Sequence, residues 1–240
     1  MPSANWPDRE DLRKVAESHS VDLATLYLAD LVARDPRSVD CRERYQYYLH
    51  HPDSERLVKH YHRYRILFVP GWDYVKSGHL TGADLVRPRR LKTEMGIENQ
   101  PVEIDLSGSV EENTTFILTE LTKPEPKDTR IIIAGVSSAG PVICLALDKI
   151  KKQKIAAPAA WINIGGILQG SPLFEHYNNF PGSWFMNAFL YIKDWRKEAI
   201  ASMGASASKE RYQTLNLPDG MVAMNYAGLS LSGQLSNYAK

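Results

Sequence analysis

Apolar residues are grouped along this chain in short runs and helical spacings, and the clearest example lies near its middle. Ile131–Ala134 contains no polar residue, which is typical of a central parallel strand covered by helices on both faces. Beyond a turn rich in glycine and serine, apolar residues recur at helical spacing: Pro141, Val142, Leu145 and Ala146. A proline in the first turn of a helix loses no helical hydrogen bond. The pattern predicts a strand, a sharp turn and a helix over residues 130–147.

The same alternation of strands and helices continues on both sides of this unit. Further predicted strands are Ile66–Val69, Val102–Leu106, Ala159–Gly165 and Met221–Ala227, and the predicted helices are Val110–Leu121 and one that ends at about Ile150. Such alternation predicts an α/β fold with a mostly parallel, doubly wound sheet and right-handed crossovers. Functional residues gather at the carboxyl ends of strands in these sheets. Three short segments lie there: Gly71-Trp72, Ser137-Ser138 and Gly165-Gly166.

The N-terminal quarter has a helical pattern instead. The predicted helices are Asp8–Ser18, Val21–Ala33 and Ser38–Tyr48. We therefore expect two parts, an N-terminal helical segment over residues 1–64 and a sheet domain over 65–240. Packing of the helical segment on the sheet is favoured over a role as a partner-binding or cap element.

The turn after Ile131–Ala134 carries two serines, and one of them is a candidate nucleophile. A serine on a sharp strand-to-helix turn is pushed out of the sheet edge, beside the N–H groups that open the helix. The residues two before and two after the nucleophile approach each other and must be small. Ser137 meets this condition, because Gly135 and Ala139 stand two residues before and after it. Ser138 meets it less well, because the residue two before it is the β-branched Val136. An ordinary turn with capping serines remains the alternative.

Two other glycine-rich turns fit this sequence less well. A phosphate-binding P-loop requires Gly-Lys-Ser/Thr, and Gly140-Pro141-Val142 stands at that place. The dinucleotide fingerprint G-x-G-x-x-G is absent.

Composition narrows the function classes further. The 240 residues include 29 basic and 28 acidic ones, a balance that suggests neither nucleic acid nor an anionic membrane as a partner. Cys41 and Cys144 are far apart, so neither a disulfide framework nor a metal site is indicated. The N-terminus has no secretory apolar region, and no stretch approaches the length of a membrane span. We expect a cytoplasmic protein.

Three motifs resemble the α/β-hydrolase family in its lipase and esterase branch, over residues 65–228. They are Phe68-Val-Pro-Gly-Trp72, Gly135-Val-Ser-Ser-Ala-Gly140 and Ile162-Asn-Ile-Gly-Gly-Ile-Leu-Gln-Gly-Ser171, in the family's order. The resemblance implies that Ser137 is the nucleophile and that the N–H groups of Ser138 and Trp72 form the oxyanion hole, with Gly71 beside the substrate. It implies no cofactor or metal, and a small acyl ester or another hydrophobic molecule as the substrate.

The resemblance also implies an acid and a histidine after the nucleophile, and the candidates for these are few. Only His176 follows Ser137, and no Asp, Glu or His lies beyond Met221, which suggests that the usual C-terminal portion is missing. His176 with Glu175 or Asp194 is one candidate base. Others are His79, in the loop beside Asp73 and Asp84, and a histidine of another chain. For His176 and His79, a role as a surface or cap-packing residue is favoured over that of a base.

Residues 173–217 form a predicted aromatic insertion that would lie over the site as a cap or lid. Trp184 and Phe185 belong to its helical part and would contact an apolar substrate. A helix pair that closes the core is the alternative. Two functions follow for the whole chain: a serine carboxylester hydrolase whose activity depends on an unplaced acid and base, or a non-catalytic binding or scaffold protein with the same fold.

Overall fold

The computed structural model describes residues 6–52, 60–72, 74–172 and 196–234. The chain folds into two compact units, Met1–Val58 with Gly228–Lys240, and Lys59–Ala227. No helix within the described ranges is both long enough and apolar enough to cross a bilayer.

The first unit is helical. Its described helices are α1 (Arg9–Ser18), α2 (Val21–Arg34) and α3 (Pro36–His50), followed after residue 228 by a short 3-10 turn, Ser232–Gln234. Asp8 closes a capping box at the start of α1, and Ser20 caps α2 through the Leu23 N–H. The Asp22 carboxylate accepts hydrogen bonds from the N–H and the hydroxyl of Ser232, both at 2.7 Å, which join the returning chain to α2.

The second unit is a five-stranded sheet in the described residues, and every strand pair is parallel. Its strands are β1 (Tyr64–Val69), β2 (Glu98–Pro101), β3 (Arg130–Val136), β4 (Ala160–Ile164) and β5 (Val222–Tyr226), in the order β2-β1-β3-β4-β5. The connecting helices are α4 (Tyr74–Thr81), α5 (Val86–Glu94), α6 (Val110–Leu121), α7 (Ala139–Gln153), α8 (Lys197–Ser202) and α9 (Ala205–Thr214). The predicted parallel α/β architecture is confirmed.

Alternating side chains of the strands supply two separate apolar layers. Leu67 and Ile133 belong to the larger layer, which α6 and α7 cover. Ile66 and Ala134, their neighbours in sequence, belong to the second layer on the opposite face, with Leu85 beside the start of α5. The unbroken apolar run in β3 is therefore explained by burial on both faces.

Two predictions about local structure are wrong. The second strand is Glu98–Pro101 and not Val102–Leu106. β2 pairs only with β1 among the described strands, so polar residues are tolerated in it, and the chain turns away at Asp105, whose carbonyl accepts the Gly108 N–H. His79 lies in α4 and not in the expected loop.

Candidate functional site

The turn between β3 and α7 holds Ser137 in a left-handed backbone conformation. Its φ is +55°, which costs a non-glycine residue about 1 kcal/mol, and its side chain is partly exposed. Its N–H donates to the Ile164 carbonyl at 3.0 Å. Its own carbonyl accepts the N–H groups of Gly140 and Ile167, at 3.1 and 3.2 Å. These three hydrogen bonds hold Ser137 in its left-handed conformation.

Ser138 differs from its neighbour in both backbone and burial. It has right-handed helical dihedrals (φ −63°, ψ −16°) at the start of α7, and only 8% of its surface is exposed. Of the two serines in the turn, Ser137 is thus the one with a left-handed backbone and the more exposed side chain.

The residues that flank Ser137 at two positions on each side are in close contact. A Cβ added to Gly135 would lie 3.0 Å from the Cβ of Ala139 and would overlap the side chain of Ile143. Position 135 therefore requires glycine, because any larger residue would push α7 away from β3.

The end of β1 lies against the same turn. A Cβ on Gly71 would be 3.3 Å from the Cβ of Ser137, so the two backbones approach closely. The Gly71 N–H donates to the Ala83 carbonyl at 2.9 Å, and the Trp72 indole donates to the Leu106 carbonyl at 2.9 Å. Gly71 and Trp72 are in this way anchored beside Ser137.

A buried asparagine next to the turn, Asn163, was not predicted. Asn163 of β4 is 4% exposed, and its side-chain amide donates to Asn225 of β5 at 2.9 Å. A Cβ on Gly140 would lie 3.0 Å from the Asn163 side-chain oxygen and 2.8 Å from the Cα of Gly166. Asn163 is thus packed between the two segments whose N–H groups hold the Ser137 carbonyl. A polar residue inside the apolar stretch 159–164 was the available signal.

The structure describes only some of the predicted acid and base candidates. His176, Glu175, Asp194 and the cap residues Trp184 and Phe185 lie outside the described residues, as does Asp73. His79 is exposed on α4. The Asp84 carboxylate accepts the Val86 N–H at 3.1 Å, a bond that caps the start of α5.

The described part of the predicted cap, residues 196–217, packs on the sheet unit. Met203 belongs to the larger apolar layer. Arg196 pairs with Glu112, and Arg211 pairs with Glu111 at 2.7 Å, both at the first turn of α6. The cap over residues 173–217 remains a prediction.

Electrostatics around the site indicate structural roles for the other buried titratable groups. Burial, together with nearby Asp148, raises the pKa of the Cys144 thiol to about 11, so it stays protonated at neutral pH. Asp148 accepts the Asn216 N–H and pairs with Lys152 at 2.6 Å. The described residues contain no group of three or more His, Cys, Asp or Glu side chains that could hold a metal ion.

The sequence matches no family model and no curated protein. Among solved structures, the metagenomic carboxyl esterase MGS0156 is similar at a TM-score of 0.53 and 18% identity, over 69% of this chain and 49% of the esterase. A Bacillus licheniformis lipase, BlEst2 in its mature form, gives a TM-score of 0.48 at 20% identity over 67% of this chain and 64% of the lipase. Phospholipase PlaB of Legionella pneumophila gives 0.48 at 15% identity, over 72% of this chain and 40% of that protein.

The likeness to the carboxyl esterase defines the fold. The sheet unit has the α/β-hydrolase fold, as the three sequence motifs predicted. This chain spans about half the length of that esterase.

Proposed function

We propose that this protein is a serine hydrolase of carboxylester type and that Ser137 is its nucleophile. The observation that carries the proposal is the left-handed conformation of Ser137 between β3 and α7, held by bonds to Ile164, Gly140 and Ile167. Four described non-glycine residues have a positive φ, namely Leu85, Asp128, Ser137 and Lys154, and of these Ser137 alone directly follows a strand. Backbone strain that the structure maintains is frequent at functional positions. A serine at the strained turn after a central strand is the arrangement of the nucleophile elbow in this fold.

The backbone around Ser137 supports an oxyanion hole formed by the N–H groups of Ser138 and Trp72. Ser138 opens α7, where N–H groups lack helical partners and attract negative charge. Trp72 follows Gly71, whose close approach to Ser137 brings the β1 turn next to the nucleophile. Two main-chain donors on opposite sides of the reacting carbonyl would stabilise the charge that develops on its oxygen.

In the proposed reaction, the Ser137 Oγ bonds to the acyl carbon while its proton passes to a base. The carbonyl electron pair moves onto oxygen and is stabilised by the two N–H groups. When the pair returns, the ester C–O bond breaks, the alcohol takes up the proton and an acyl-enzyme remains. Water then attacks the acyl carbon and gives a proton to the base. The bond between the acyl carbon and the Ser137 Oγ breaks, the carboxylic acid leaves, and the base returns the proton to Oγ. His176 is the candidate base and His79 is the alternative. Gly71, Trp184 and Phe185 are the candidate substrate contacts.

A fluorophosphonate probe tests the nucleophile because it labels only activated serines. We expect the wild-type chain to be labelled, labelling to be lost in Ser137→Ala, and labelling to persist in the matched control Ser138→Ala. Undiminished labelling of Ser137→Ala would assign the reactivity elsewhere. Absence of labelling in folded wild-type protein would favour the non-catalytic binding protein.

The base is tested by comparing two histidine variants in the same assay. General-base assistance contributes about 100-fold or more to rate. We expect His176→Ala to slow labelling by about that factor and His79→Ala to leave the rate nearly unchanged. The reverse result would assign the base to His79.

A further inference from the structure

A short helical segment that follows Trp72 has an unusual surface. We call residues 74–95, which comprise α4 and α5, the basic excursion. Leu80 has 79% of its surface exposed, more than any other large apolar side chain in the described residues. Further exposed large apolar side chains of the basic excursion are Val75, Val86, Leu91 and Met95. α2 exposes a similar number of large apolar side chains, so it is the charge of the basic excursion that distinguishes it.

The charge of the basic excursion differs from that of the whole chain. It contains five basic and two acidic residues, whereas the formal net charge of the chain is only +1. Lys76 and Arg87 are exposed, and Arg90 is 3.5 Å from Glu94. The Asp84 carboxylate accepts the Val86 N–H. The balanced total charge thus conceals a local positive surface.

Helical spacing places cations and apolar side chains on the same outward faces. In α4, Lys76 and Leu80 are four residues apart, and in α5 Arg87 and Leu91 are four apart. The inward side is different, because Leu85 is buried in the smaller apolar layer. Leu85 immediately precedes α5, and no residue of α5 itself is buried, so its side chains remain available at the surface.

The basic excursion borders the turn that holds Ser137. The carbonyl of Ala83 accepts the Gly71 N–H, and a Cβ on Gly71 would lie 3.3 Å from both the Ala83 and Ser137 Cβ atoms. The part of the excursion between α4 and α5 therefore lies beside the turn of the proposed nucleophile, and α5 leads away from it towards the amino end of β2.

We propose that the basic excursion docks onto an anionic lipid surface. Exposed aliphatic side chains next to cations suit insertion at the boundary of head groups and acyl chains, where the charges meet lipid phosphates. Single-stranded nucleic acid is less suited, because the surfaces that bind it stack bases on aromatic side chains. The proposal does not depend on Ser137 as nucleophile.

Vesicle sedimentation with the full chain tests this docking. We expect binding to phosphatidylcholine vesicles that contain about one third phosphatidylglycerol, weak binding to phosphatidylcholine alone, and weakening by salt. The double variant Arg87→Glu/Arg90→Glu should lower the partition coefficient about tenfold or more. Lys127→Glu/Arg130→Glu makes the same charge change at exposed positions near the amino end of β3 and should bind like wild type.

A second variant separates lipid insertion from simple charge attraction. Leu80→Ser/Leu91→Ser keeps every charge and should still lower the partition coefficient by about tenfold. Circular dichroism should show that all three variants fold, because the substituted side chains are exposed. Equal binding by the Arg87→Glu/Arg90→Glu variant and the Lys127→Glu/Arg130→Glu control would overturn the proposal. Tight binding to DNA that is insensitive to Leu80 and Leu91 would instead assign the surface to a polyanion.

Discussion

The two edges of the sheet are stabilised by different means. At the amino edge, the Arg65 side chain is 12% exposed and pairs with Glu98, Glu120 and Glu125. At the carboxyl edge, the chain uses close backbone contacts through glycines and a strained serine at position 137. The amino edge thus holds strands together by charge, while the carboxyl edge positions backbone N–H groups. Functional residues of parallel α/β sheets generally gather at the carboxyl edge, which is where the proposed site lies.

The largest effect is expected from filling the space at Gly140. Its added Cβ would lie 2.8 Å from the Gly166 backbone, which cannot move without disturbing Asn163. We expect Gly140→Ala to lower the free energy of unfolding by about 3 kcal/mol, measured by urea denaturation. Gly228→Ala is the control, since a Cβ there meets nothing within 4 Å and should change stability by less than about 0.5 kcal/mol. Similar losses in both variants would contradict the close-packing account.

At the amino edge, Arg65→Met should remove the cation that pairs with Glu125 and leave Glu120 paired with Lys123 alone among the described cations. Both carboxylates are more than four-fifths buried, so we expect a loss of about 2 kcal/mol in the free energy of unfolding. Arg13→Met in α1 removes a cation that also lies between two glutamates, Glu10 and Glu17, but in solvent, and should have little effect. A negligible effect of Arg65→Met would show that this edge does not depend on charge.

Ser137→Gly should raise the free energy of unfolding by about 1 kcal/mol, because glycine adopts a φ of +55° without strain. The matched control is Ser138→Gly, whose right-handed helical conformation gains nothing from glycine and should lose up to about 1 kcal/mol. Thermal unfolding of both proteins provides the comparison. Opposite signs are expected, and a destabilised Ser137→Gly would argue against stored strain at this turn.

The smallest effect concerns pH at the first turn of α6. The Arg196 guanidinium, together with bonds from Ser109, lowers the pKa of Glu112 from its usual value near 4.5 to about 2. A carboxylate with a lowered pKa stabilises the fold above its unfolded-state pKa, and this stabilisation disappears as the pH falls from about 4.5 towards 2. In Glu112→Gln, the melting temperature should fall less steeply across this range, whereas exposed Glu103→Gln should follow wild type. Parallel curves for wild type and Glu112→Gln would exclude this linkage.

The positive surface of residues 74–95 shows what total composition conceals. Counting charges over the whole chain suggested no anionic partner, because acidic residues elsewhere offset the excursion. Helical spacing within α4 and α5 could have indicated the mixed face, but these helices were not predicted. Their sequence is polar and interrupted by Gly78 and Pro88, which weakens the periodic signal.

The amino-acid sequence alone determined β3, the turn at Ser137 and α7. An unbroken apolar run, a turn rich in glycine and serine, and apolar residues at helical spacing are all local patterns. It likewise determined α6, whose bounds Val110–Leu121 were predicted correctly. Only the tertiary structure decided that Glu98–Pro101 joins the sheet. This edge strand is polar, and its pairing with β1 rather than an apolar pattern places it there. Tertiary structure also decided that Gly71 lies against Ser137 and that Asn163 pairs with Asn225. These contacts join residues 62 or more positions apart, and strand order and register, which no local pattern specifies, bring them together.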